Sequence, residues 1–396
     1  MLSTRAVSLS SSPTLAIDSK AKNMVAEGKD VINYGAGEPD FDTPEHIRKA
    51  AVAALNNGHT RYTPSSGIPA LREAICAKLL RDNGLHYEPG QIVVSNGAKH
   101  SLANIFAAIL NEGDEVIIPA PYWVSYPEQA KLYGGVPVVL ETGERTNHKI
   151  DPAALEEIVT AKTKALILNS PSNPTGLVYS RDELQAIAEI AVSKGFYVLS
   201  DEVYEKFIYS GEHVSIASFG EKIKDLTVVI NGASKTYAMT GWRIGYTASN
   251  SELANIMGNI QSHTASNPNS IAQHAFVAAL NESQDCINEM WNAFEERRSY
   301  MLERFDQMKS VSYLKPDGAF YLFVNIADTF KKKFNGRLIA DGNGFADQLL
   351  EHALVAVVPG EGFGAPEFMR LSYATSMDKI KTGLDRIENF LNQLQG

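Results

Sequence analysis

The chain has 396 residues, more than one hydrophobic core ordinarily serves, so two domains are expected. Its 44% hydrophobic and 21% charged content is that of an ordinary globular protein. A formal net charge of −10 argues against a general nucleic-acid binder, which needs clustered Lys and Arg, and no run approaches the roughly 18 apolar residues of a membrane span.

The first 45 or so residues begin Ser-rich, without an apolar signal core, and contain one helical segment and a Gly/Pro turn, Gly35-Ala-Gly-Glu-Pro-Asp40. From about residue 68 helix and strand alternate. A helical period over 68–81 is followed by a strand at 91–95 and a helix at 101–110. Next come a strand at 115–118, a helix near 126–133 and a strand at 136–140. The alternation continues with a strand at 164–169, a helix at 181–194 and strands at 196–200 and 226–230. Short apolar strands between amphipathic helices predict a mainly parallel sheet covered on both faces, with ligands beyond the carboxyl ends of its strands. A long helix over about 282–309 ends this regime. Strands at 320–324, 355–358 and 369–373, a helix near 344–353 and a final helix to 395 predict a smaller α+β domain. The expected division is therefore 46–285 for a large domain, and 1–45 with 286–396 for a small one. Cys76 and Cys286 lack CxxC spacing, and the histidines form no HxxxH pair, so no metal site is expected and the thiols read as free ones in a reducing cytoplasm.

Polar clusters gather at the predicted strand ends. Lys235 follows the 226–230 strand in Asn231-Gly-Ala-Ser-Lys235. Apolar surroundings there would lower its pKa and free an amine able to attack an aldehyde or carbonyl. Arg243, eight residues on, offers a donor fork suited to phosphate. An aldehyde-binding lysine beside a phosphate-binding arginine describes the two ends of pyridoxal 5′-phosphate. Asp201, ending another strand, would either cap a helix or keep a pyridine nitrogen protonated. Asn173 sits in a Pro-stiffened turn, and its amide, like the Tyr204 hydroxyl, could donate to a ring oxygen. Trp123 is either core or a stacking surface for a flat cofactor. Gly97 and Ala98 open a helix with free N–H groups, which suits an anion.

Together these motifs resemble the class I/II aminotransferases, the aspartate aminotransferase family of fold-type I pyridoxal-phosphate enzymes. The resemblance runs from Gly35-Ala-Gly-Glu-Pro-Asp40 to Arg370-Leu-Ser-Tyr-Ala-Thr375, and the wording Gly-Glu-Pro-Asp-Phe-Asp-Thr-Pro is similar to the prokaryotic-type subgroup. It implies a large α/β domain and a smaller α+β domain. By position, Lys235 corresponds to the imine-forming lysine and Asp201 to the partner of the ring nitrogen, with Asn173 and Tyr204 donating to the ring oxygen. Trp123 corresponds to the stacking aromatic, and Gly97, Ala98, Arg243 and Ser234 to phosphate contacts. Tyr62 would reach the cofactor of a second subunit, which implies a homodimer with shared sites. Arg370 corresponds to the grip on the substrate α-carboxylate, Gly37 to a residue lying over the substrate, and Lys99 to the cation for a distal carboxylate. Transfer of the amino group between L-aspartate and 2-oxoglutarate is thus implied, with prephenate or aromatic amino acids, or a carbon–sulfur lyase of the same fold, as alternatives.

Overall fold

Seven strands, most of them rich in Val, Ile and Leu, form the centre of the molecule in the computed structural model, which describes residues 2–7, 9–10 and 13–395. They are β1 (Ile92–Ser95), β2 (Glu115–Ala120), β3 (Val136–Glu141), β4 (Thr163–Asn169), β5 (Tyr197–Asp201), β6 (Thr227–Gly232) and β7 (Gly245–Ala248). Their order across the sheet is β1-β7-β6-β5-β4-β2-β3. All pairings are parallel except those of β7, which runs antiparallel to both neighbours.

The period of two along each strand feeds two cores at once. Val116, Ile118, Leu199, Val228 and Ile230 face Leu102, Ile105 and Phe106 from the helix Ala98–Ile109 and Met257 from the helix Ser251–Thr264. The alternate residues Ile117, Leu166, Leu168 and Val198 face Leu184, Ile187 and Ala191 on the helix Arg181–Lys194. Each such buried side chain contributes about 1.5–3 kcal/mol, which is why both faces must be covered. The helix Arg181–Lys194 begins with a reciprocal Ser180–Glu183 capping box and stops at Gly195 in the left-handed conformation.

A four-stranded antiparallel sheet carries the strands Tyr321–Asn325 and Phe368–Ser372 at its centre. Helices Asp285–Phe305, Gly342–Ala353 and Met377–Asn392 pack around it. Two expectations are corrected here. The helix expected over 282–309 is shorter, Asp285–Phe305, because Ser283 and Asp285 exchange side-chain and backbone bonds at its start and the chain leaves it at Asp306. The strand expected at 355–358 is two pieces in different sheets: Val355–Ala356 pairs with Ile32–Asn33, and Val358–Pro359 with the Phe368–Ser372 strand. A continuous apolar run does not reveal which partner each half will find. Among the described residues, no helix is long and apolar enough to cross a membrane.

What this fold contributes to the site is a common edge. β2, β4, β5 and β6 are parallel, and β1 shares their direction because β7 reverses the chain twice over. Register brings Asn169 opposite Asp201, Asp201 opposite Ile230, and Gly245 opposite both Gly232 and Ser95.

Candidate active site

A cavity of about 470 Å3 opens beyond that edge. Gly37, Ala98, Lys99, Trp123, Asn173, Asp201, Tyr204, Ser234, Lys235, Arg243 and Arg370 all line it. One expected residue does not: Gly97 lies directly beneath Arg243. Tyr62, expected at a second subunit's cofactor, is 90% exposed and makes no part of this wall.

Lys235 sits in the single turn Ala233–Thr236 that follows β6. Its Nζ donates to the Gly37 carbonyl and lies 6.0 Å from the centres of the Tyr204 and Phe320 rings. Burial is the main force pushing the ammonium down to about 8; Arg370 and Arg243 push the same way, while Glu38 and Asp201 oppose them. The amine is therefore unprotonated in a useful fraction near neutrality.

Asp201 is the last residue of β5, and a turn rather than a helix follows, so its carboxylate caps no helix. Burial pushes this carboxyl up to about 6, against the pull of a Tyr126 hydroxyl bond to Oδ2 at 2.7 Å and a Val203 N–H at 3.4 Å. Asn169, one strand over, fixes the backbone of two site segments: its Nδ2 donates to the Asp201 carbonyl at 2.9 Å and its Oδ1 accepts from the Asn173 N–H at 2.8 Å.

At another part of the cavity Arg243 adopts a left-handed backbone, φ 54° and ψ 59°, an uncommon conformation for a residue with a long side chain. Its guanidinium donates to the Thr240 carbonyl at 2.8 Å and crosses Gly97 so closely that a Cβ there would meet Nη2 at 2.5 Å. A Cβ on Gly245 would likewise come 2.6 Å from the Ala98 nitrogen. Glycine is required at both positions for the guanidinium and the helix start to converge. The N-terminal N–H groups of Ala98–Ile109 lie beside this cation, an arrangement suited to phosphate.

Arg370, only 2% exposed, projects from the Phe368–Ser372 strand. It donates to Asn173 Oδ1 at 2.9 Å and to the Gly35 carbonyl at 2.8 Å, stacks on the Tyr321 ring at 4.5 Å, and leaves Nε without a partner. A buried guanidinium with an orphaned N–H is poised for an acidic ligand. The Arg370 bond also orients the Asn173 amide, committing its oxygen and leaving Nδ2 as a donor. Tyr204 and Tyr321 share a hydrogen bond of 2.8 Å between hydroxyls. Lys99 is exposed on its residue average yet lies 4.8 Å over the Trp123 ring, and burial, then Arg243, lowers its pKa. Sequence reasoning missed Tyr126, Tyr321 and Asn169, whose partners lie 75, 117 and 32 residues away.

Behind Asp201 lies a buried ionic network. Glu205 accepts from Lys78, from Asn231 at 2.8 Å and from Asn83 at 2.9 Å. Glu202 accepts from Ser200 at 2.8 Å and Ser215 at 2.7 Å, and His213 meets it at 3.1 Å. Burial alone would push the Glu205 carboxyl up, but Lys78, His213 and Lys206 hold it near 2. The Asn231 bond ties this network to the strand that delivers Lys235.

The lining fits pyridoxal phosphate on its own geometry: an amine freed by burial, a buried carboxylate for a ring nitrogen, and a cation over a glycine cradle for the phosphate. The model of the family described as aminotransferase class I and II matches residues 29–387. An aspartate aminotransferase of Geobacillus stearothermophilus is 51% identical over 391 residues, 98% of each chain. The crystal structure of the aspartate aminotransferase from Rhizobium meliloti superposes with a TM-score of 0.96 at 41% identity, covering all of both chains. That of the Thermus thermophilus aspartate aminotransferase with maleate gives 0.93 at 41% identity, over 99% of this chain and 100% of that one.

Proposed function

We infer the function from one premise: the chain belongs to the class I and II aminotransferase family, whose members use pyridoxal 5′-phosphate. The activity that follows is transfer of the amino group between L-aspartate and 2-oxoglutarate. The observation that carries this reading is one cavity in which Lys235 and Asp201 stand with Arg370 and Lys99, two cations beyond the Arg243 assigned to the phosphate. A dicarboxylate needs both. The Thermus relative with maleate, itself a dicarboxylate, supports the same substrate class.

When bound, pyridoxal phosphate supplies an aldehyde for the amino group and a ring that draws electrons from the substrate α-carbon. The protein's residues do the rest. Lys235 holds the cofactor covalently between turnovers. Displaced by the incoming amino group, its freed amine would take the substrate α-proton and carry it, so one group would serve as nucleophile and proton carrier. Asp201 balances a proton on the ring nitrogen. Asn173 Nδ2 and the Tyr204 hydroxyl, braced by Tyr321, donate to the ring oxygen. Trp123 covers the ring face. Arg243, Ser234 and Ala98 would hold the phosphate, with the expected contact Gly97 serving instead as the cradle beneath the guanidinium, and Gly37 would cover the substrate. Arg370 grips the α-carboxylate with a planar fork, and Lys99 takes the distal one.

The same reading makes the active unit a homodimer. Tyr62, fully outside its own cavity, would reach the partner's phosphate, and exposed Val52 and Leu55 offer apolar surface for the contact. Residues 46–285 would form the cofactor-binding domain, and 1–45 with 286–396 the smaller one. The free thiols Cys76 and Cys286 suit a cytoplasmic setting. The deciding experiment is a half-reaction screen. Individual amino acids are mixed with the purified protein and conversion of the cofactor from aldehyde to amine is followed by absorbance. Aspartate and glutamate should convert it with release of the 2-oxo acid; release of a β-substituent instead would indicate a lyase.

A further inference from the structure

The Asp201 carboxylate has two unlike oxygens. Oδ2 accepts the Tyr126 hydroxyl at 2.7 Å, a strong charge-assisted geometry. Among the described residues Oδ1 takes only the Val203 N–H at 3.4 Å, too long to use its capacity. Tyr126 itself is 2% exposed and sits near the start of the helix Ser125–Leu132, its ring edge packed on Trp123 with centroids 5.3 Å apart. Burial pushes the phenol well above its usual range, with Asp201 adding to the effect, so it remains a donor at any working pH. Tyr126 therefore joins the aromatic that covers the cavity to the carboxylate at its floor.

We propose that Tyr126 is a positioning residue for the reaction: its hydroxyl occupies Asp201 Oδ2, fixes the plane of the carboxylate and leaves Oδ1 for the ring nitrogen of pyridoxal phosphate. This rests on the reading of Asp201 as the partner of that nitrogen. Without the phenol, the buried carboxylate keeps one long protein hydrogen bond, from Val203. Its charged form is then held less firmly, and so is the proton across from it. The loss should appear in cofactor binding and in the chemical step, with little effect on substrate affinity.

The test compares wild type, Tyr126→Phe, Asp201→Ala and the double variant. Three quantities are read: the dissociation constant for pyridoxal phosphate, the pH midpoint of its visible band, and kcat and KM for aspartate. Tyr126→Phe should weaken cofactor binding and lower kcat, each about tenfold (about 1.4 kcal/mol), shift the band midpoint, and leave KM within about twofold. In the Asp201→Ala background the same substitution should add less than about twofold, because no carboxylate remains to be held. Equal losses in both backgrounds would show that Tyr126 acts through packing, and a wild-type Tyr126→Phe protein would show that it does not act; either overturns the proposal. An Asp201→Ala protein that binds cofactor and turns over like wild type would instead overturn the reading of Asp201, and the proposal with it.

Discussion

Replacing Lys99 with alanine should injure acidic substrates and spare neutral ones, whereas replacing Arg370 should injure all of them. Lys99 lies on the cavity wall but exposed, its charge resting over Trp123 at 4.8 Å. If the cavity stayed open to water in the substrate complex, a Lys99–carboxylate pair would contribute no more than about 1 kcal/mol. If it closed and excluded water, removing the lysine would leave a carboxylate unpaired at a cost of about 3 kcal/mol or more. Loss of the contact with Trp123, worth about 0.5–1 kcal/mol, would fall equally on every substrate. Arg370 differs in burial and in role. At 2% exposure its removal strips donors from Asn173 Oδ1 and the Gly35 carbonyl as well as from the substrate α-carboxylate. A loss of about 3–5 kcal/mol, from a hundredfold to several thousandfold in kcat/KM, is expected for aspartate and alanine alike. The assay is kcat/KM for aspartate, glutamate, alanine and phenylalanine with each variant. Lys99→Ala should lower the acidic pair by about tenfold or more relative to the neutral pair. An equal loss across all four would refute the assignment of Lys99 to a distal carboxylate.

Attachment of pyridoxal phosphate to the cofactor-free protein should accelerate as pH rises through about 8, because burial lowers Lys235 to that range and only its neutral amine attacks. Stopped-flow absorbance would check this; a rate rising only near pH 10 would contradict the buried amine. Burial opposes the charge on His213, but Glu202 and Glu205 outweigh it and raise its pKa. A raised folded-state value stabilises fully below about pH 6.5, the unfolded value, and that stability is lost as pH climbs through the folded one. His213→Gln should therefore flatten the fall in thermal midpoint above pH 6.5, and an unchanged slope would remove His213 from the network's charge balance. Sedimentation should find a dimer, and Tyr62→Phe should weaken cofactor retention without dissociating it; a fully active monomer would contradict the shared site.

Local chemistry was legible along the chain wherever the physics is local. Apolar β-branched runs set β2, β4, β5 and β6, and a polar residue just past such a run must lie at the carboxyl edge of a parallel sheet. That alone put Asp201, Asn173 and Lys235 near one another. Arg243 followed from its eight-residue spacing to Lys235. Less legible was β7, a four-residue strand with a glycine at its start, because its antiparallel place between β1 and β6 is decided by pairing rather than by pattern. The run at 355–358 failed for the same reason, its halves being claimed by different partners.

The tertiary structure alone decided the state of each group. A lysine becomes a nucleophile when Gly37, 198 residues away, and the Tyr204 and Phe320 rings exclude water around it. An aspartate becomes a tuned carboxylate when Tyr126 closes on one of its oxygens from 75 residues away. Arg370 meets Asn173 across 197 residues. Residue type and strand ends are written in near neighbours, because backbone sterics and hydrophobic period act over a few residues. Desolvation and hydrogen-bond partnership are properties of space. The chain fixes them only once segments distant in sequence have folded against each other.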